Sequence, residues 1–398
     1  MNPQIQKLYH ISQKDNRLII GLMSGTSLDG LDIALCKISN AGSNTRLELL
    51  KFITMTYEKD FRSNVRKIFS KKEINQQELC GINAYVGITH AKLINKALEN
   101  WGIPNENIDL IASHGQTVYH APQILTKDYN LPNSTLQIGD GDHIAVHTGI
   151  ITISDFRQKH IAAGGEGAPL AAYGDYLLFT HDTENRILLN IGGISNFTFL
   201  PNNSSYLKAF ATDLGPGNTI MNQYMLEHYG EEMDRDSIIA KKGQINQNLL
   251  TALLEEEFLS LDFPKTTGPE LFNLRYLINK QEQSETLNLP QEDVMATLNA
   301  FSAQAIINGI TKVSQGLNNV AVYVSGGGLH NPLLMENIKK QLPFVKIKSI
   351  SEIDMNPDAK EACLFALLAN ETIAGSSRNV TNIKDSPAVC MGKISLPQ

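Results

Sequence analysis

Residues 17–22, 33–38 and 47–57 are short apolar runs set apart by glycine-rich or polar turns, the pattern of a three-stranded antiparallel meander. Apolar positions then recur at helical spacing over 61–70 and 76–100. Residues 108–112 read as a strand ending in Ser113-His114-Gly115-Gln116, and 136–138 and 150–153 as further short strands running into polar residues and glycines. From residue 186 the order begins again. A strand over 187–191, the turn Gly192-Gly193, a returning strand over 197–200 and a third over 206–211 lead to Asp213-Leu214-Gly215-Pro216-Gly217-Asn218. The clearest later helix spans 292–315, and a strand over 320–324 runs into Ser325-Gly326-Gly327-Gly328. The spacing predicts a helix over 331–341, with Asn331 as its N-cap and Pro332 in first position, then a strand over 345–350 and a helix over 358–372.

This recurrence predicts a duplicated α/β fold, although the halves do not repeat residue by residue. A length of 398 residues suits two or three domains at about 150 residues each. Residues 1–16 are expected to form a poorly ordered or loosely docked extension. Residues 17–182 make the first domain, which the C-terminal segment 374–398 is free to rejoin, and 183–373 the second. The boundary falls in the short polar stretch 181–185.

Composition narrows the function. Lys and Arg number 34 against 41 Asp and Glu, a net charge of −7, so no basic field attracts nucleic acid or anionic lipid. Residues 1–17 lack the apolar stretch of a signal peptide, and no run approaches ~18 apolar residues, so neither secretion nor a membrane span is expected. Cys36, Cys80, Cys363 and Cys390 lie far apart without metal-ligand spacing, as free thiols in the cytoplasm do.

The 29 glycines are an ordinary total, but they gather at strand ends. There is no G-x-x-x-x-G-K-[ST] phosphate loop, no dinucleotide fingerprint and no G-x-S-x-G elbow. Three glycine turns stand instead: Ser24-Gly25-Thr26-Ser27-Leu28-Asp29-Gly30-Leu31-Asp32, Asn190-Ile191-Gly192-Gly193, and Ser325-Gly326-Gly327-Gly328. Turn amides without a Cβ nearby make an anion nest, and Ser24, Thr26 and Ser27 add hydroxyl donors. Asp29 and Asp32 would repel a bare phosphate, which argues for a divalent cation, Mg²⁺, between acid and nucleotide, with Asp29 its ligand through water. Two such hairpins in a doubled fold describe the actin-like and sugar-kinase ATPases, whose two ribonuclease H-like domains surround a central interdomain cleft.

Further blocks sharpen this reading. They are Ser113-His114-Gly115-Gln116-Thr117-Val118, Leu136-Gln137-Ile138-Gly139-Asp140, Asp155-Phe156-Arg157, Gly164-Gly165-Glu166-Gly167-Ala168-Pro169-Leu170, Asp213-Leu214-Gly215-Pro216-Gly217-Asn218, Ser325-Gly326-Gly327-Gly328-Leu329-His330-Asn331 and Lys360-Glu361-Ala362. In order from about residue 19 to the C-terminus, they closely resemble the anhydro-N-acetylmuramic acid kinases. The resemblance implies that ATP, water and 1,6-anhydro-N-acetylmuramic acid give ADP and N-acetylmuramic acid 6-phosphate, in peptidoglycan recycling. It implies Asp155 as the base that activates water and Glu361 as its partner on the sugar. His114, Gln116, Gln137, Asp140, Arg157 and Asp213 are expected on the substrate. The first loop, Asn190, Gly192, Gly193, Gly215, Gly217 and Asn218 are expected on ATP phosphates, and Gly326, Gly327, Gly328 and Asn331 on the adenosine. His143, His147 and His160 carry no persuasive metal spacing and stay outside the site. The family leans toward homodimers. One departure stands at Pro269, where relatives usually carry Arg. An ordinary hexose or amino-sugar kinase and a nucleotide-gated scaffold remain the competing readings.

Overall fold

Burial of the apolar runs shapes two sheets of one design. The computed structural model describes residues 1–353, 356 and 358–398, in two units: Met1–Leu178 with Asp358–Gln398, and Phe179–Pro357. In the first unit β1 (Asn16–Ser24), β2 (Gly30–Ser39) and β3 (Arg46–Thr56) form the expected meander. β4 (Leu110–Ala121) and β6 (Thr152–Ser154) extend the sheet parallel to β1, giving the order β3-β2-β1-β4-β6. β1 and β2 are buried along most of their length, while β3 mixes exposed and half-buried positions as an edge strand does.

β4 is longer than the periodicity predicts. It continues through Ser113-His114-Gly115-Gln116 because its distal half finds an antiparallel partner in β5 (Ser134–Ile138), with Gln116 opposite Ile138. His114 and Gln116 therefore lie within a strand rather than on a loop. Behind the sheet, helix Gln76–Trp101 starts where the Asn75 side chain accepts from the Gln77 and Glu78 amides, and it stops at Gly102 in left-handed conformation. Its Val86, Ile94 and Leu98 pack on Ile20, Leu22, Ile33 and Ile111.

The second unit repeats the plan. β7 (Asn185–Ile191), β8 (Ile194–Leu200), β9 (Phe210–Pro216), β10 (Val320–Ser325) and β11 (Lys346–Ser349) are ordered β9-β8-β7-β10-β11, with β7 antiparallel to β8 and parallel to β10. Its core joins Ile187, Leu189 and Val322 to Ile306 and Ile310 of helix Gln291–Ser314. With β5 set aside as an added partner of β4, each unit runs third-second-first-fourth and then one further parallel strand, the duplication foreseen in the sequence.

Two expectations are corrected. Helix Lys360–Ala374 belongs to the first unit, not to the second half of the chain: it packs on β1, β2 and β4. The approach is so close that a Cβ on Gly21 would lie 1.9 Å from the Ala362 carbonyl oxygen, so only glycine admits the helix there. The chain then adds β12 (Lys393–Ser395), antiparallel to β6. The N-terminal extension is ordered as well. Helix Pro3–Ser12 buries Ile11, and the buried Arg17 guanidinium donates to the Ile11 and Ser12 carbonyls and to Asn370 Oδ1.

Candidate functional site

The first loop stands on a buried line of polar groups. Ser24 Oγ donates to Gln116 Oε1 at 2.5 Å and meets the Tyr57 hydroxyl at 2.7 Å, which in turn lies 2.9 Å from His90 Nε2. Because the Ser24 proton is spent on Gln116, Tyr57 must donate to Ser24 and His90 must donate to Tyr57. Gln116 passes its own protons to the Gly25 and Thr117 carbonyls. The four side chains are at most 2% exposed. Burial pushes His90 down to about 3 and the Tyr57 phenol upward, so both stay neutral. Gln116, expected on the sugar, is instead a buried clamp under the loop. Leu28 and Leu31 are buried anchors of the same loop, whereas Thr26, Ser27 and Asp29 are exposed on it. Asp32 accepts from Thr54 Oγ1 at 2.6 Å; desolvation raises its carboxyl, with Thr54 opposing.

Asp155 follows β6 and precedes helix Phe156–Ala162, in left-handed conformation (φ 57°), and its carboxylate makes no cap bond to that helix. Asp155 Oδ2 accepts instead from Lys393 Nζ. Two residues on, Arg157 Nε donates to His114 Nε2 at 3.0 Å and Nη1 to the Gly167 carbonyl at 2.8 Å. An arginine always donates, so His114 Nε2 is unprotonated; burial, seconded by Arg157, holds the ring neutral at about 3. His114 lies against Phe365 and is 3% exposed, so it supports Arg157 rather than reaching a ligand as expected. His160 accepts from the Gly167 amide at 2.9 Å and fixes the same loop from below. Glu361, in the first turn of helix Lys360–Ala374, has its carboxyl raised by desolvation, with Arg157 pulling it down and Asp32 pushing it up. The structure thus brings Arg157 onto His114 and within electrostatic reach of Glu361, two residues from Asp155.

Gln137 and Asp140 flank that group, on the segment whose Ile138 and Gly141 approach Gly115 and Ser154. Gln137 Nε2 is bound to Thr117 and Thr135, with Oε1 buried and unmatched, and Asp140 caps helix Gly141–Thr148 by accepting from the Asp142 amide. The cap bond engages Oδ1 of the exposed Asp140.

In the second unit three glycine turns meet. The Gly217, Asn218 and Thr219 amides donate to the Gly193, Gly192 and Gly193 carbonyls, and Asn218 Nδ2 reaches Gly192. A Cβ on Gly217 would stand 2.3 Å from the Gly192 oxygen. Gly326 (φ 84°) closes on Asn190 and Ile191, and Ser325 Oγ donates to the Leu189 carbonyl. Asn331 is a hub rather than a ligand: its Oδ1 caps helix Pro332–Gln341 and accepts from Ser237 and Asn299. Asp213 accepts from the Thr267 amide, and burial raises its carboxyl to about 6 despite that bond. It belongs to the second unit, whereas the other expected substrate residues belong to the first. The carbonyl of Pro269, the departing position, accepts from Asn273 Nδ2.

With that geometry in place, comparison with known proteins is decisive. Residues 17–394 match the family model for anhydro-N-acetylmuramic acid kinase. The chain belongs to the anhydro-N-acetylmuramic acid kinase family. The anhydro-N-acetylmuramic acid kinase of Pseudoalteromonas atlantica is 52% identical over 400 residues, covering 100% of both chains. That of Caldanaerobacter subterraneus is 39% identical over 396 residues, covering 98% of this chain and 100% of its own. The chain is therefore an enzyme, a phosphotransferase acting on an alcohol group, of a family that serves peptidoglycan recycling. No helix among the described residues is long and apolar enough to cross a membrane.

Within this kinase, sequence reasoning missed Tyr57, His90 and Lys393. Tyr57 and His90 read as core residues, and no spacing rule links Ser24 to groups 33 and 66 positions away. Lys393 lies 238 residues from Asp155, joined to it only by the pairing of β12 with β6.

Proposed function

We propose that the first loop holds the phosphates of ATP and that the residues around Asp155 hold 1,6-anhydro-N-acetylmuramic acid, with the glycine turns of the second unit assigned to the nucleotide. The kinase activity is that of the family; the assignment of roles is our reading. Asp155 removes a proton from water as the oxygen bonds to C1. The C1–O6 bond breaks, O6 bonds to the γ-phosphorus, and ADP leaves. One proton is left for the base to carry away. Arg157, held from behind by His114 and Gly167, presents Nη2 to an anionic group of the sugar, and Glu361 orients the sugar or the water.

One observation carries this assignment. The Asp155 carboxylate heads helix Phe156–Ala162 without capping it and is left partly exposed beside Lys393, as a residue held for chemistry rather than for folding would be. Among the described residues no group of three or more His, Cys, Asp or Glu could cage a metal. The exposed Asp29 beside hydroxyl donors suits a hydrated Mg²⁺ riding on the phosphates, which when bound supplies charge neutralisation of the transferring group. The reading places the enzyme in the cytoplasm, whose reducing conditions suit the free, buried Cys36 and Cys363.

The test is phosphate transfer to 1,6-anhydro-N-acetylmuramic acid measured beside plain N-acetylmuramic acid. Turnover on the anhydro-sugar with little on the open sugar is expected. Equal or faster transfer to the open sugar would favour an ordinary amino-sugar kinase.

A further inference from the structure

Among the described residues, Lys393 is the only one with which the Asp155 carboxylate is seen to bond, and it comes from the far end of the chain. Its backbone is fixed twice. Lys393 pairs with Ser154, the residue before Asp155, in the β12–β6 ladder, and the preceding Met391 carbonyl accepts from Thr372 of the helix that begins at Lys360. Gly392, at φ 113°, turns the chain between these anchors, where a Cβ would strike Ile153. The lysine side chain is 65% exposed, so neither core packing nor burial accounts for its position. A carboxylate that neither caps its helix nor meets a backbone amide has free rotation about its side-chain bonds, and a base must hold its oxygen within about 3 Å of the water it deprotonates.

We propose that Lys393 is a positioning residue for the reaction: it pins Asp155 Oδ2 so that the second carboxylate oxygen faces the attacking water. The inference rests on the reading of Asp155 as the base. When the water O–H bond breaks, its proton goes to that second oxygen and the new O–C1 bond forms; Lys393 keeps all its protons throughout. The proton then passes from Asp155 to solvent and the base is restored for the next turnover. The exposure of the lysine gives that proton a short way out.

The experiment compares Lys393→Met, Lys393→Arg, Asp155→Asn and the double variant Lys393→Met/Asp155→Asn, each full length, by steady-state kinetics on ATP and the anhydro-sugar. Lys393→Met is expected to lower kcat about tenfold, as slight misplacement of a catalytic group does, with both KM values within twofold of the parent. Lys393→Arg should recover most of the loss, and Lys393→Met should cost nothing further in the Asp155→Asn background. A Lys393→Met kcat within twofold of the parent overturns the proposal while leaving the base intact. So does a loss that arginine does not recover, or one accompanied by weakened ATP binding, which would mark β12 as merely structural. Full activity of Asp155→Asn instead removes the reading beneath it.

Discussion

Replacing Tyr57 by Phe removes one oxygen from the line under the first loop and leaves its shape alone. The ring keeps its stack on Phe61, with centroids 4.0 Å apart, so no cavity opens. What changes is hydrogen bonding. His90 Nε2–H loses its acceptor, and shifting the proton to Nδ1 does not help, because Nδ1 has no partner either. Either tautomer leaves a fully buried N–H unmatched, at a cost of about 1–3 kcal/mol; the lost donor to Ser24 brings the expected destabilisation of the first unit to roughly 2–3 kcal/mol. The chain has a single tryptophan, Trp101, packed against the core of that unit, so its fluorescence reports the relevant unfolding in urea. At a slope of about 2 kcal/mol per molar, the midpoint should fall by about 1 M. With Ser24 then held by Gln116 alone, KM for ATP should rise several-fold. Adding His90→Leu removes the stranded N–H, so the double variant should be less destabilised than the sum of the single changes. A Trp101 midpoint within about 0.2 M of the parent would refute the bonding sequence from His90 to Gln116.

Asp155→Asn should lower turnover by several orders of magnitude while ATP still binds, read by isothermal titration; an unaffected rate removes Asp155 from the base role. Gly217→Ala should weaken ATP binding at least tenfold and leave the Trp101 transition unchanged, because the added Cβ must push the Gly192 turn away from its neighbour within the second unit. His90, His114 and His160 are held neutral at about 3, 3 and 4, below the ordinary 6.5, so their stabilising contribution is full above about pH 6.5 and is lost as pH falls from there toward the folded values. The unfolding free energy reported by Trp101 in urea should therefore drop steeply from pH 7 to pH 5, by up to about 4 kcal/mol per pH unit, and a flat profile would contradict it. Asp213 has the opposite sign. With its folded value raised to about 6, the second unit loses stability as pH rises from about 4 to 6, and Asp213→Asn should abolish that slope in an unfolding titration.

Much of the fold was legible because the strands that build each sheet are short apolar runs whose neighbours in sequence are mostly neighbours in space. The meander of β1, β2 and β3 and its echo in β7 and β8 could be read from spacing alone. By contrast, β9 runs over Phe210–Pro216, later than the expected 206–211, because Asp213-Leu214-Gly215-Pro216 pairs with β8 instead of forming a turn. Long-range packing could not. The helix Lys360–Ala374 has an apolar pattern that suits either unit, and only the missing side chain at Gly21, 341 positions before Ala362, decides where it docks. The site divides in the same way. The glycine turns announced themselves, since close backbone approach needs glycine wherever it occurs. Polar residues were harder to read, because a motif fixes identity and not direction. Gln116 turns under the first loop, His114 turns behind Arg157, and Asp140 and Asn331 turn to helix ends. Each of these satisfies backbone or buried donors that the sequence does not display.

The central claim is that one site both opens the anhydro ring with water and phosphorylates the oxygen so released. Turnover of ATP and 1,6-anhydro-N-acetylmuramic acid in 18O-labelled water tests it directly, with mass spectrometry of the product. The account predicts one 18O on C1 of every N-acetylmuramic acid 6-phosphate formed, none in its phosphate, and one ADP per product. Phosphorylated sugar without 18O at C1, examined before the anomeric hydroxyl exchanges with solvent, would contradict it.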